Sequence, residues 1–186
     1  GKALEFGVSG LLYNSDLLMY DRQSDSLWSQ IEGRAISGPA KGQRLKRLVV
    51  EHTSWKNWRD QHPTTLVLSN ETGFQRNYLN SPYPAYNTSK TIYFPVSHSD
   101  KRYHPKEVVI GVEINGNFKA YPFVELAKGT GVLEDIFQGE KLTIEYNSEA
   151  RSARVTNENK VPLPSLTAYW FAWIAFHPET IVFKEL

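Results

Sequence analysis

The sequence predicts a β-rich α+β fold made of two related units of short antiparallel strands, each with one Trp-bearing helix followed by His-Pro and a strand. Three observations lead there. The pattern W-x2-W-x3-H-P-x-T-x-V occurs twice, so that Trp55, Trp58, His62, Pro63, Thr65 and Val67 recur in register as Trp170, Trp173, His177, Pro178, Thr180 and Val182. Short apolar runs punctuated by Gly, Asn, Asp and Ser fill most of the remainder, the grammar of strands and tight turns. At 186 residues and 40% hydrophobic content the chain can bury a proper core, which excludes a disordered segment.

The repeated unit follows from local chemistry. Two Trp residues three positions apart share a helix face, and a Pro after His drives that His out of the αR region, so the helices end at His62 and His177. Ser54 and Thr167 are the expected N-caps, and the Thr-x-Val endings carry strand-forming residues. The helices differ in surroundings. WKNWRDQ has one apolar face and belongs at the surface, whereas WFAWIAF is apolar all round and belongs in the core.

Residues 4–31 read as a β-meander: strand 4–8, a break at Ser9-Gly10, a second run 11–21, a polar turn 22–26, and strand 27–31. Period-2 alternation puts Asn14 and Asp16 on one face of the second run. Residues 33–48 form a connecting loop leading into a short strand at 45–50. A Pro- and Tyr-rich crossing, residues 69–94, then separates a first unit, residues 1–95, from a second, residues 96–186; one continuous domain is the alternative. In the second unit, strand 108–114, an Asn115-Gly116 type I′ turn and strand 117–122 form a hairpin, followed by short strands near 133–137, 141–146 and 151–155. The first unit has no such hairpin ahead of Leu4. The expectation is that the natural protein, or a partner segment, supplies one upstream of residue 1.

Several function classes fall away. A net charge of +1, with only KGQRLKR as a basic cluster, gives no electrostatic case for nucleic acid. The absence of Cys excludes disulfides, thiolate metal sites and a cysteine nucleophile within these residues. The apolar run 168–176 is far short of the roughly 20 residues that cross a bilayer. Ser9 sits in GVSGL, where a nucleophile elbow needs Gly at position 11 and finds Leu.

The candidate ligand-binding set is Asn14, Asp16, Asp21, Arg22, Trp28 and Gln30, which places carboxylates, amides, a guanidinium and an indole on neighbouring strands. An alternative metal set is His98, Asp100 and His104, imidazoles and a carboxylate in one loop, although the spacing matches no named ligand pattern. His62 and His177 read as structural groups at helix ends. No cofactor is assigned.

The segments FGVSGLLYNSDLLMYDRQSDSLWSQ (residues 6–30), PKEVVIGVEINGNFKAYP (residues 105–122) and YWFAWIAFHPET (residues 169–180), with the first W-x2-W-x3-HP motif, resemble the prokaryotic domain-of-unknown-function family 3179. The resemblance covers nearly the whole chain. It implies a further VEINGxxxAYP-like hairpin and a Cys-Pro-Leu-Cys-like motif upstream, neither within these residues, and an extracytoplasmic, periplasmic or secreted location. Two functional readings follow. The first is a non-catalytic module binding a small ligand or a protein partner near Asn14–Gln30. The alternative is a metal- or thiol-dependent enzyme or metal carrier whose site is completed by the upstream Cys motif.

Overall fold

The computed structural model describes residues 3–185. It is β-rich with few helices, and all but one of its strand pairings are antiparallel. Strands β1 (Phe6–Tyr13), β2 (Asp16–Asp21), β3 (Leu27–Ser29) and β4 (Arg34–Ser37) form a meander sheet in sequence order. Helix α1 (Trp55–Gln61) follows, and then β5 (Val108–Ile114), β6 (Asn117–Pro122) and the short α2 (Phe123–Leu126). Strands β7 (Val132–Phe137), β8 (Glu140–Asn147) and β9 (Ser152–Asn157) make a second meander. The chain closes with β10 (Ser165–Tyr169), α3 (Trp170–Phe176) and β11 (Ile181–Val182).

The central sheet has the order β10-β5-β6-β11, and its alternation explains the core. Successive side chains of a strand point to opposite faces. Ile110, Val112 and Tyr121 therefore pack with Phe137, Leu142, Ile144 and Val155 of the β7-β8-β9 sheet. Val109 and Ala120 meet Trp170, Trp173 and Ile174 of α3 on the other side. A Trp buries roughly 150–250 Å². At about 25 cal/mol per Å² each indole of α3 contributes on the order of 4–6 kcal/mol of burial. Gly111 is what lets α3 sit so close, since a Cβ there would lie inside the Trp173 ring.

Several expectations change. Ser9-Gly10 is a bulge inside a continuous β1, not a break; the β1–β2 register shifts between Val8 and Leu12, and Gly10 has φ 75°. The turn is instead Asn14-Ser15, with φ of 51° and 65° between the paired residues Tyr13 and Asp16. Asn14 is thus a hairpin residue, and the shared strand face with Asp16 does not exist. Residues 45–50 form no strand, because no neighbouring strand offers them a ladder: pairing stops at the isolated Arg34–Arg44 bridge just before them and the Leu45 N–H bond to Gly33 C=O at 2.9 Å. Thr167 belongs to β10, Tyr169 occupies the N-cap of α3, and no side chain caps that helix. Ser54 does cap α1, accepting from Asn57 N–H at 3.3 Å. The strand expected directly after His62-Pro63 does not form, and the next strand is β5, whereas β11 follows α3 directly. The expected 108–114 and 117–122 hairpin is present with those bounds, and Asn115 and Gly116 have φ of 51° and 76°, as a type I′ turn requires.

Candidate functional site

The polar set on the first sheet divides by what each side chain touches. Asp21 is buried, and its carboxylate accepts the Trp28 indole N–H at 2.8 Å, the Ser24 backbone N–H at 2.6 Å and the Ser24 hydroxyl. The indole N–H, ahead of the Ser24 donors, holds this carboxyl below the usual carboxylate range despite its burial. Asp21 and Trp28 thereby lock the turn between β2 and β3, with Trp28 packed on Ala35, Ala40 and Phe6. Asn14 faces away from them. Its amide donates to Ala175 C=O at 3.1 Å and accepts the Ser97 N–H at 2.8 Å, tying the β1–β2 turn to the end of α3. Gln30 donates to Leu17 C=O at 2.8 Å, and Arg22 is exposed beside the Tyr20 ring. Asp16 is different. Its Oδ2 is buried with no hydrogen-bond partner, and burial pushes its carboxyl up, partly offset by the backbone N–H groups of Ile31, Leu17 and Gln30.

The loop set is dispersed in its bonding. Asp100 pairs with Arg102 at 2.8 Å, His104 Nδ1 accepts from Lys106 N–H at 3.1 Å, and His98 contacts the Ser97 hydroxyl at 2.9 Å. Among the described residues no group of three or more His, Asp or Glu is placed to hold a metal ion. Likewise no helix among them is long and apolar enough to cross a membrane.

The two Trp-bearing helices form matching local cradles. In α3 the Trp173 indole donates to Thr180 Oγ1 at 3.0 Å, His177 N–H donates to Trp173 C=O at 2.9 Å, and Thr180 N–H donates to His177 C=O at 3.1 Å. In α1 the corresponding bonds are Trp58 to Thr65 at 3.0 Å, His62 to Trp58 at 2.8 Å and Thr65 to His62 at 3.1 Å. Even the helix-ending backbone agrees, with φ/ψ of −130°/68° at His62 and −131°/63° at His177. What lies beneath them differs. Under α3 the β5–β6 hairpin fills the gap between β10 and β11, with Phe118 stacked on His177 at 3.8 Å. Burial pushes the His177 imidazole down to about 4, with Arg47 a smaller cause. Under α1 no hairpin lies among the described residues: the helix has no buried residue, its entry is tied by Ser54 N–H to Ala150 C=O at 3.2 Å, and Val50 and Leu66, flanking it where β10 and β11 flank α3, are 72% and 96% exposed.

Lys106 escaped the sequence reading. It is buried beside two aromatic rings and opens onto a cleft, yet in PKEVV it looks like any solvated charge before a strand, so only the Tyr-rich crossing nearby carried a signal.

Fold and site together define a β-rich protein of antiparallel sheets with few helices, one of them, α3, seated on the β5–β6 hairpin. The family described as "Protein of unknown function (DUF3179)" matches residues 1–163, and the chain belongs to it. No curated protein and no solved structure matches.

Proposed function

We propose that this chain is a non-catalytic interaction module of the extracytoplasmic space that takes up a β-hairpin through the α1 cradle. The observation that supports it is the cradle itself, which repeats the Trp-His-Thr geometry of α3 while its flanking segments remain without strand partners. Residues 1–95 and 96–186 are in this reading two versions of one unit. The hairpin that fits has the chemistry of β5–β6. Its first strand runs antiparallel to residues 50–54, as β5 runs to β10, and its second parallel to residues 66–67, as β6 runs to β11. Gly lies under Trp58 and an aromatic ring meets His62, as Gly111 and Phe118 do under α3. Backbone ladders would supply affinity and these two positions specificity, the logic of strand addition. The hairpin comes from a partner or from a further segment of the same polypeptide. The extracytoplasmic location rests on the family resemblance.

A synthetic peptide with the sequence of residues 107–122 tests this. Such hairpins are marginal alone, so binding is coupled to folding and a dissociation constant on the order of 10–100 μM is expected. Amide exchange at residues 50–53 and 66–67 should slow on binding, and either Trp58→Ala in the protein or Leu in place of the peptide's Gly111 should abolish the effect. No protection at these amides, or protection indifferent to both substitutions, overturns the reading.

A second reading keeps the ligand at the first sheet, on Asn14, Asp16, Asp21, Arg22, Trp28 and Gln30. Its support is Asp16, whose partnerless Oδ2 could accept a donor from a ligand. The metal- or thiol-dependent alternative rests on the resemblance and the Cys motif that it implies outside these residues.

A further inference from the structure

A cleft of about 590 Å³ opens between the segment preceding α1 and the C-terminal end of β10, lined by His52, Thr53, Lys106, Arg151, Thr167 and Tyr169 among others. Its chemistry is cationic at one end and hydroxyl-rich along one wall. Lys106 is only 5% exposed, yet its ammonium has a single hydrogen-bond partner, Thr91 C=O at 2.9 Å. The faces of Tyr86 and Phe171 lie 3.8 and 4.5 Å from the nitrogen. Ring faces attract a desolvated cation, but they do not replace a counter-ion, and an ammonium withdrawn from water without one is costly. Arg151, whose φ of 49° places it on the turn before β9, borders the same cleft.

The other clefts of similar size are unlike this one. Where Arg47 lines a cleft of about 490 Å³, it is neutralised by Glu113 at 3.1 Å. Where Arg154 lines one of about 470 Å³, it is neutralised by Glu51 at 3.2 Å. Among the described residues neither Lys106 nor Arg151 lies within ion-pair distance of a carboxylate. Glu107, which shares the adjoining small cleft with both, accepts the Val124 N–H at 2.8 Å. Two cations without an ion-pair partner, one of them held between aromatic rings, with Thr hydroxyls beside them, make a pre-organised receptor for negative charge.

We infer that this cleft binds a small organic anion carrying a carboxylate or phosphate group, which Lys106 and Arg151 contact directly while the Thr53 and Thr167 hydroxyls orient it. This site is independent of the α1 cradle, although residues 52–54 border both. Charge-assisted hydrogen bonds contribute about 1.5–3 kcal/mol each, so losing one cation weakens binding about tenfold or more.

Titration of the protein with inorganic phosphate and, separately, with succinate tests the site by calorimetry and by the amide shifts of residues 167–169. Saturable one-to-one binding of either anion is expected, weakening as salt rises. Lys106→Met and Arg151→Gln should each weaken it about tenfold or more, and Lys101→Gln, an exposed control, should leave it unchanged. Binding of phosphate alone or succinate alone assigns the group recognised. Arg151 is exposed and its substitution spares the core, so it remains decisive should Lys106→Met fold poorly. The inference fails if neither anion binds, or if binding survives Arg151→Gln at full strength.

Discussion

Helices α1 and α3 carry the same W-x2-W-x3-H-P-x-T grammar and the same internal hydrogen bonds, yet one lies bare and the other is buried in the core. Of the outer pair, Trp170 is 0% exposed and Trp55 48%; of the inner pair, Trp173 is buried and Trp58 only half-buried. The difference teaches that the motif fixes a local shape, a helix closed by His-Pro and latched from indole to threonine, but little stability. A single seven-residue helix is marginal in water, and most helical stability comes from tertiary packing. For α3 that packing is the β5–β6 hairpin; among the described residues α1 has no counterpart. Substitutions at corresponding positions should therefore have unequal effects.

The largest inequality is expected at the inner Trp. Trp173→Ala should cost about 3–5 kcal/mol in urea unfolding, the range for deleting a buried aromatic, whereas Trp58→Ala should cost less than about 1 kcal/mol. Equal losses would break the comparison. Next comes the floor of the filled unit: Gly111→Ala pushes a Cβ into the Trp173 indole and should cost about 2–3 kcal/mol, because α3 must lift off the sheet. A double variant, Gly111→Ala with Trp173→Leu, should recover part of that loss, and no recovery would mean that the clash lies elsewhere.

A third contrast is read through pH. His177 titrates at about 4 in the fold against 6.5 for a free imidazole, because burial between Phe118 and Trp173 disfavours its charged form. The unfolded chain binds this proton more readily. The stability contributed is therefore fully present above about pH 6.5 and is lost progressively as pH falls from there to about 4, on the order of 3 kcal/mol. Comparing unfolding at about pH 7 and about pH 4 in wild type and His177→Gln isolates this component, which the variant should lack. The smallest effect lies at the latch. Thr180→Val strands the buried Trp173 N–H and should cost about 1–2 kcal/mol, while Thr65→Val, exposed, should stay within about 0.5 kcal/mol.

How far the sequence could be read follows the same division between local and tertiary causes. The β5–β6 hairpin was legible because alternation and Asn115-Gly116 specify register locally, and the helix ends were legible because proline restricts the residue before it. The Asn14-Ser15 turn was hidden inside an apolar run, and Gly10 looked like a break because a bulge is defined by the partner strand. Residues 45–50 have strand propensity, but a strand needs a neighbour, and none is present there. In the candidate site, Asp21 and Trp28 were correctly brought onto neighbouring strands, yet they satisfy each other at the turn. Lys106 went unnoticed because, apart from the Tyr-rich crossing, nothing along the chain says that Tyr86 and Phe171 will fold around it.

The most direct test of the central contrast is native-state hydrogen exchange of the protein alone, comparing amides at the C-terminal ends of α1 and α3, such as His62 and His177, whose donors bond Trp58 and Trp173 carbonyls at 2.8 and 2.9 Å. The expected result is near-unprotected exchange at His62 and exchange at His177 only through global unfolding. Equal, high protection at both would show that the motif stabilises itself without a hairpin, and the account would be wrong.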